Sequence, residues 1–273
     1  MSESWKVDGP KILEIGGEGE PVHVLRVGLV AGRVDVVAHE DDEQGARIEV
    51  TKVKGRPLEI EWAAGELSVA HPKVKWDGLL DGLKSIGRRD DAAELSIAVP
   101  RGCEVRISTV SADGLLAGLQ AQASVRTVSG ELAVSSVRGD VSARTVSGRI
   151  DVRDLRGSLS GESVSGSLIV HAAELDSLDV KTVSGELVLD LESTPSKVNM
   201  KSVSGDLVVR IPRESGFRLD AKTMSGQIVA DGRRLGSGRP GPPQGEIRHG
   251  DESVRVSAMT VSGDVTLLRT ATP

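Results

Sequence analysis

Basic side chains recur along this sequence at a spacing that could bind an anionic polymer. Five of them stand directly before a repeated tetrapeptide of the type T-V-S-G: Arg126, Arg144, Lys181, Lys201 and Lys222. If each repeat is one coil of a stacked fold, these side chains form a broken stripe along the stacking axis. Because the charges of a polyanion also repeat along a line, the pattern predicts a polyanion-binding stripe.

Acidic side chains limit the strength of this predicted site. A mainly acidic column follows the repeated glycine and includes Glu131, Glu186, Asp206 and Asp264. Binding to the stripe is therefore expected to be weak and to be lost as salt is added. The alternative, a charged edge that is merely solvated, stays open.

Other chemistry is not indicated by the sequence. The five histidines are dispersed without the spacing of metal ligands, and there is a single cysteine, Cys103. Neither a G-x-S-x-G nucleophile motif nor a phosphate-binding loop is present. The sequence therefore predicts no catalytic residue, no metal site and no cofactor.

The elements that must position the basic residues repeat every nine residues between Ser124 and Val170. The template is V-x-G-x-L-x-V-x-x, in which apolar residues alternate as in a strand with one buried face. Two rows make one coil of about 18–21 residues, which is typical of a β-solenoid. The strong form of the motif has its glycine at seven positions: Gly130, Gly148, Gly166, Gly185, Gly205, Gly226 and Gly263.

The template assigns each position to the interior or the surface. We expect its first valine, such as Val164, to point inward and the next residue, Ser165, to point outward. The glycine occupies an inward-facing position of the template. A glycine is needed there either because the strand bends or because the interior is too narrow for a side chain. The repeated Thr and Ser residues are expected to form hydroxyl ladders near a corner.

The repeats extend over nearly the whole chain and predict a single β-solenoid domain, 1–273. Three segments interrupt or end the pattern. They are a short helical insertion at 72–91, a flexible loop at 232–245 and a C-terminal tail at 270–273.

An internal match assigns the cysteine to the core. The stretch Leu95–Ala112 resembles Leu207–Gly226, and the comparison places Cys103 where Phe217 stands. No base or helix N-terminus is evident beside it. Cys103 is therefore expected to be a wall residue of the core rather than a reactive thiol.

Composition narrows the class of protein. Aromatic residues are only 1% of the chain, which suits a narrow interior filled by Val, Leu and Ile ladders. The net charge of −6 argues against nucleic acid as a partner of the whole surface. The N-terminus lacks the basic start and apolar run of a signal peptide, and no stretch reaches the length of about 18 apolar residues that a membrane span needs. A cytoplasmic location without a membrane span is expected.

The repeated T-V-S-G-[DE]-[LIV]-x-V unit, preceded by V-P-x-G-x-x-V-x-I-x-T-V-S, resembles a bacterial β-strand-repeat family. That family is called "putative adhesins" and is of unknown function. The resemblance covers nearly the whole chain and is clearest from Ala93 to Leu268. It implies a single-stranded, right-handed parallel β-helix, and the adhesin label implies a surface location. It implies no catalytic residues, because the family has none established.

Two classes of function remain open. Small and charged outward residues, without aromatic platforms for sugars, favour a non-catalytic scaffold or an adhesion-like binding module of unknown ligand. The alternative is a polysaccharide-active enzyme of the pectin-lyase type, with a cleft beneath the 72–91 insertion and converging carboxylates. The expected partner is a second copy, bound through the solenoid ends, or another protein.

Overall fold

In the computed structural model, the chain is built from β-strands. The structure describes residues 2–17, 19–40, 45–72, 90–192, 196–235 and 243–270. These residues form 24 strands and no helix, which confirms the predicted all-β class. It follows that no described residue belongs to a helix able to cross a membrane. Of the helical insertion predicted at 72–91, residues 73–89 lie outside the described part of the chain.

The strands fall into two compact units, Met1–Gly139 and Asp140–Pro273, which we call the N-terminal and C-terminal units. The single domain expected for 1–273 stays a prediction. The strands of the N-terminal unit are β1 (Ser2–Val7), β2 (Lys11–Ile15), β3 (Val24–Leu29), β4 (Ala31–His39), β5 (Ala46–Lys54), β6 (Leu58–Ala63), β7 (Glu66–Ala70), β8 (Ala92–Pro100), β9 (Glu104–Thr109), β10 (Asp113–Ala117), β11 (Ala123–Thr127) and β12 (Glu131–Arg138).

In the N-terminal unit, the order of the chain differs from the order of stacking. Strand β3 pairs in parallel with both β7 and β9, and β4 pairs in parallel with both β8 and β10. Beyond β7 follow the antiparallel strands β6 and β1, and beyond β8 follow β5 and β2. These antiparallel strands cover the edge of the parallel coils, where backbone groups would otherwise lack partners.

The strands of the C-terminal unit are β13 (Val141–Thr145), β14 (Arg149–Ser163), β15 (Leu168–Thr182), β16 (Leu187–Leu191), β17 (Ser196–Lys201), β18 (Leu207–Pro212), β19 (Phe217–Lys222), β20 (Ile228–Ala230), β21 (Arg233–Leu235), β22 (Gln244–His249), β23 (Val254–Met259) and β24 (Val265–Thr270). One parallel ladder joins β13, the ends of β14 and β15, then β17, β23 and β19. A second joins the beginnings of β14 and β15, then β16, β18, β24 and β20.

The last coil of the chain lies inside this stack. Strand β23 lies between β17 and β19, and β24 lies between β18 and β20. Strands β19 and β20 are covered in turn by the antiparallel strands β22 and β21. Strand β21 and the start of β22 occupy both ends of the loop predicted at 232–245, while residues 236–242 lie outside the described part. Of the predicted tail, Thr270 ends β24 and residues 271–273 lie outside it.

Inward side chains form ladders from coil to coil. Leu168, Leu187 and Leu207 are register partners in successive coils, and all three are buried. Burial of each such side chain contributes about 1.5–3 kcal/mol. Cys103 and Phe217 are both buried, as predicted. Burial raises the pKa of the Cys103 thiol to about 12, so it stays protonated and unreactive.

The T-V-S-G corners differ from the prediction. The Thr or Ser at the start is buried, and at five of the seven corners its hydroxyl oxygen accepts a hydrogen bond from the glycine N–H, as from Gly185 to Thr182 at 2.9 Å. At the Val164 corner, the Ser163 hydroxyl instead donates to the Gly166 carbonyl at 2.6 Å. The next residue is turned outward, so that Val164 and Val183 are each 48% exposed. The prediction that Val164 points inward is therefore wrong. The turn that brings the hydroxyl to the glycine backbone breaks the alternation of a regular strand.

The serines of these corners bind the neighbouring coil. The hydroxyls of Ser165, Ser184, Ser204 and Ser225 each donate to the carbonyl of an apolar corner residue in that coil, at 3.2, 3.3, 3.4 and 3.4 Å. The predicted serine ladder thus consists of hydroxyl-to-carbonyl bonds. In the rows between the corners, Val137 and Leu155 are buried, as the template predicts.

Close packing between coils explains the repeated glycine. A Cβ placed on Gly185 would overlap the carbonyl oxygen of Gly166, and one on Gly205 would overlap that of Gly185. Neither glycine has a positive φ. The approach of the next coil, rather than backbone freedom, therefore excludes a side chain here.

Candidate functional site

Four of the five basic residues predicted as one stripe belong to the C-terminal unit, where Glu162 and Met259 interrupt their column. Arg126 belongs to the N-terminal unit and the other four belong to the C-terminal unit. Across successive coils of the C-terminal unit the register runs Arg144, Glu162, Lys181, Lys201, Met259, Lys222. Among the four residues of this unit, only Lys181 and Lys201 are direct register partners, because the last coil places Met259 between Lys201 and Lys222. Arg144 forms an ion pair with Glu162 at 3.2 Å.

A different set of basic residues is brought into contact by the last coil. Lys197 is the register partner of Arg255, Arg255 of Arg218, and Arg218 of Arg248. We name the outward surface of β17, β23, β19 and β22 the basic face. Its basic side chains outnumber its acidic ones by six to two, namely Lys197, Lys201, Arg218, Lys222, Arg248 and Arg255 against Asp220 and Glu246. The chain as a whole carries a net charge of −6.

Ion pairs neutralise part of the positive charge at the β19 and β22 end of the basic face. Glu246 accepts hydrogen bonds from Arg248 and Arg218, each at 2.7 Å, and these bonds, led by that of Arg248, lower the pKa of Glu246. Within the described part of the chain, no carboxylate lies at ion-pair distance from Lys197 or Arg255. Lys197 and Arg255 are both exposed. Their charges are therefore available to an anion from solution.

A cleft of about 420 Å³ adjoins the end of the basic face that carries Lys197 and Arg255. Its lining includes Lys197 and Arg255 together with Asp176, Asp251 and Glu252. Hydrogen bonds from Ser253, the backbone N–H first, lower the pKa of Asp251, so this carboxyl stays ionised. The cleft thus presents both signs of charge beside the basic face.

A buried polar cluster lies in the N-terminal unit, beside the segment predicted as an insertion. Asp91 is 1% exposed and accepts hydrogen bonds from the backbone N–H and the Nε of Arg56, at 2.9 and 2.7 Å. Burial opposes ionisation of Asp91, but the Arg56 bonds prevail and lower its pKa. His71 is also 1% exposed, and its Nδ1 accepts a hydrogen bond from the Val30 N–H at 3.3 Å. These bonds fix His71 and Asp91, which lie on either side of positions 73–89.

His71 should make the protein less stable in mild acid. Burial lowers the pKa of His71, and the charge of Arg56 acts in the same direction, while that of Asp91 opposes it. Because the unfolded chain binds the proton more tightly, stability is lost as pH falls from the ordinary histidine pKa of about 6.5 through the folded value. We expect the melting temperature to fall between about pH 7.5 and about pH 5. A His71→Gln variant should show a smaller fall, and parallel profiles for the two proteins would contradict this role.

The sequence contained a signal for the basic face that the repeat analysis missed. Lys197 and Arg218 each stand four residues before a lysine of the predicted column, in K-V-N-M-K and R-L-D-A-K, and Arg255 stands four residues before Met259, in R-V-S-A-M. Alternation places both ends of such a segment on the outward side. These three residues do not adjoin a T-V-S-G unit, so the repeat itself does not mark them. No group of three or more His, Cys, Asp or Glu side chains is placed to hold a metal within the described ranges.

Comparison with known families identifies the C-terminal repeats. Residues 158–268 match the family model Toastrack DUF4097. The Toastrack fold is β-solenoid-like, so the match confirms the predicted solenoid class. It covers less than half of the chain. A search of curated proteins found no match.

Three solved bacterial structures match this chain, each at 14% identity. A "putative lipid binding protein" from Parabacteroides distasonis has a TM-score of 0.50, over 96% of this chain and 97% of its own. A "putative adhesin" from Parabacteroides merdae has a TM-score of 0.41, over 98% and 96%. A "putative cell adhesion protein" from Clostridium sporogenes has a TM-score of 0.28, over 96% and 100%. At this identity, the likeness concerns the fold alone.

Proposed function

We propose that this chain is a non-catalytic, adhesion-like binding module that holds an anionic polymer on its basic face. The module is a single-stranded, right-handed parallel β-helix. The observation that supports the proposal is the contiguous column Lys197, Arg255, Arg218 and Arg248 on an acidic protein. A surface charge opposite to the net charge marks a local binding area rather than a general property of the protein.

The spacing of the column suits a linear ligand. Successive coils are about 4.8 Å apart, so the four basic side chains span about 14 Å along one line. A flexible anionic polysaccharide or polyphosphate places several charges within that distance. Lys197 and Arg255 provide the strongest attraction, because Glu246 already neutralises part of the charge of Arg218 and Arg248. The affinity should be modest and should fall as salt is added.

Heparin binding at low salt tests this function. A Lys197→Ala/Arg255→Ala double variant should bind about tenfold more weakly, and its plot of log affinity against log salt should be shallower by about 2. The matched control is Lys52→Ala/Lys54→Ala, which removes two exposed lysines from β5. An equal loss of heparin affinity in the control would show that net charge alone explains the effect and would contradict a specific binding face. No loss in either variant would contradict the proposal entirely.

Four carboxyl groups of the described chain do not suit the role of general acid in polysaccharide cleavage. A glycosidase of the usual type requires one carboxyl group whose pKa is raised, so that it can act as a general acid. Among the described residues, the pKa values of Asp91, Asp231, Glu246 and Asp251 are all lowered. These four groups remain ionised, and each accepts hydrogen bonds within the chain, from Arg56, Arg269, Arg248 and Ser253 respectively.

A further inference from the structure

The exposed apolar side chains of this protein are concentrated on one corner. Eight large apolar residues are exposed in the described part of the chain, and six of them belong to or adjoin the T-V-S-G corners of the C-terminal unit. Single exposed apolar residues are ordinary, but a contiguous set marks an interaction surface. We define the corner ridge as Val164, Val183, Val203, Val261 and Met224.

The members of the ridge lie in successive coils. The N–H of Val203 donates to the carbonyl of Val183 at 3.2 Å, that of Val261 to Val203 at 3.1 Å, and that of Met224 to Val261 at 3.1 Å. Their exposed fractions range from 43% for Val261 to 60% for Met224. Met259, two residues before Val261, is 47% exposed and widens the ridge. The ridge is therefore a continuous apolar line about 20 Å long.

Charges of opposite sign border the two sides of the ridge. On the side before the buried Thr or Ser stand Lys181, Lys201 and Lys222, and all three are exposed. On the side after the glycine stand Glu186, Asp206 and Asp264, also exposed. Asp206 and Asp264 each accept one backbone N–H bond from the neighbouring coil at 2.8 Å, which fixes their positions.

We infer that the corner ridge is the contact surface for a second copy of this chain. The apolar line would pack against its own equivalent about a two-fold axis parallel to the stacking direction. Such an axis keeps the two stacks parallel and places the lysine side of one ridge over the acidic side of the other. The lysine column of each copy then faces the acidic column of the other, with Lys181 opposite Glu186 and Lys201 opposite Asp206.

The pattern of charge selects this partner and this axis. A two-fold axis in the plane of contact but across the stack would place lysine opposite lysine and acid opposite acid, which is repulsive. An anionic membrane would attract the lysine column but repel the acidic column on the other side. A second copy of the chain satisfies both columns at once.

The size of the ridge indicates weak self-association. Stable protein dimers bury about 800 Å² on each partner, and a single line of five apolar side chains offers less than that. We expect a monomer–dimer equilibrium that becomes measurable at about 100 μM protein and above. Added salt should weaken it, because the charge pairs at the rim are exposed.

Sedimentation velocity over a concentration series tests the interface. The wild type should shift toward a dimer, and Val183→Ser/Val203→Ser should remain monomeric at the same concentrations. Because both valines are exposed, this variant should keep the melting temperature of the wild type. The matched control is Val37→Ser, which removes a side chain of similar exposure, 43%, from the N-terminal unit and should leave the dimer intact.

A charge exchange tests the direction of the axis. Lys181→Glu should weaken the dimer about tenfold or more, and Lys181→Glu/Glu186→Lys should restore it, because each new pair is again complementary across the parallel two-fold. Failure of the exchange to restore association would overturn this arrangement. A wild type that stays monomeric, yet sediments with phosphatidylglycerol vesicles through the same valines, would show that the ridge contacts lipid and would overturn the self-association.

Discussion

Val180→Asp is expected to prevent folding of the C-terminal unit, whereas Val183→Asp, three residues later, should be tolerated. Val180 is 2% exposed and lies in the inward ladder of β15, while Val183 is 48% exposed on the corner ridge. A carboxylate at position 180 would be buried without a partner, which costs more than about 4 kcal/mol. At position 183, it would remain in water and cost less than about 1 kcal/mol.

Thermal unfolding followed by circular dichroism distinguishes the two variants. Val183→Asp should melt cooperatively within a few degrees of the wild type, and Val180→Asp should show no cooperative transition. Similar behaviour of the two variants would contradict the inward and outward assignment at the corner.

Gly185→Ala is expected to be strongly destabilising although it adds only one methyl group. The added Cβ would overlap the backbone carbonyl oxygen of Gly166 and would also approach the Thr182 hydroxyl at 3.0 Å. Backbone cannot move aside as a flexible side chain can, so the two coils must separate. The loss should be about 3 kcal/mol or more, at the upper end of the range for overpacking.

The matched control for this methyl group is Gly102→Ala. No atom lies within 4 Å of a Cβ at Gly102, and its φ is not in the left-handed region. The control should unfold at a denaturant midpoint close to that of the wild type, while Gly185→Ala should unfold at a much lower one. A small effect at Gly185 would mean that the coils can spread, contrary to the close packing described above.

The local parts of this fold could be predicted from the sequence. The nine-residue period and the buried ladder represented by Leu168 and Leu187 follow from alternation within a strand, and the burial of Cys103 follows from its alignment with Phe217 in the internal match. The orientation of Val164 could not be predicted in this way. At the corner, a hydrogen bond between the preceding Thr or Ser hydroxyl and the glycine backbone replaces strand geometry. Side chains there no longer alternate between inward and outward positions.

The candidate site depended on a feature that no local pattern reveals. If coils stacked in the order of the chain, Lys201 and Lys222 would be neighbours and the stripe would continue. Instead β23 enters between β17 and β19, which separates those two lysines with Met259 and brings Arg255 between Lys197 and Arg218. Stacking order is decided by which ladder packs best over the whole unit, and periodicity carries no information about it.

The position of the last coil also constrains how the chain can be synthesised. Strands β19 and β20 leave the ribosome before β23 and β24, yet their parallel partners are β23 and β24 themselves. At about 5–20 residues per second, translation leaves the β17 and β18 edges without their final partners for a few seconds. During that interval a nascent chain presents open parallel edges to any neighbouring chain. A repeat protein whose coils stack in chain order can fold progressively from its N-terminus, but this C-terminal unit must wait for its final strand.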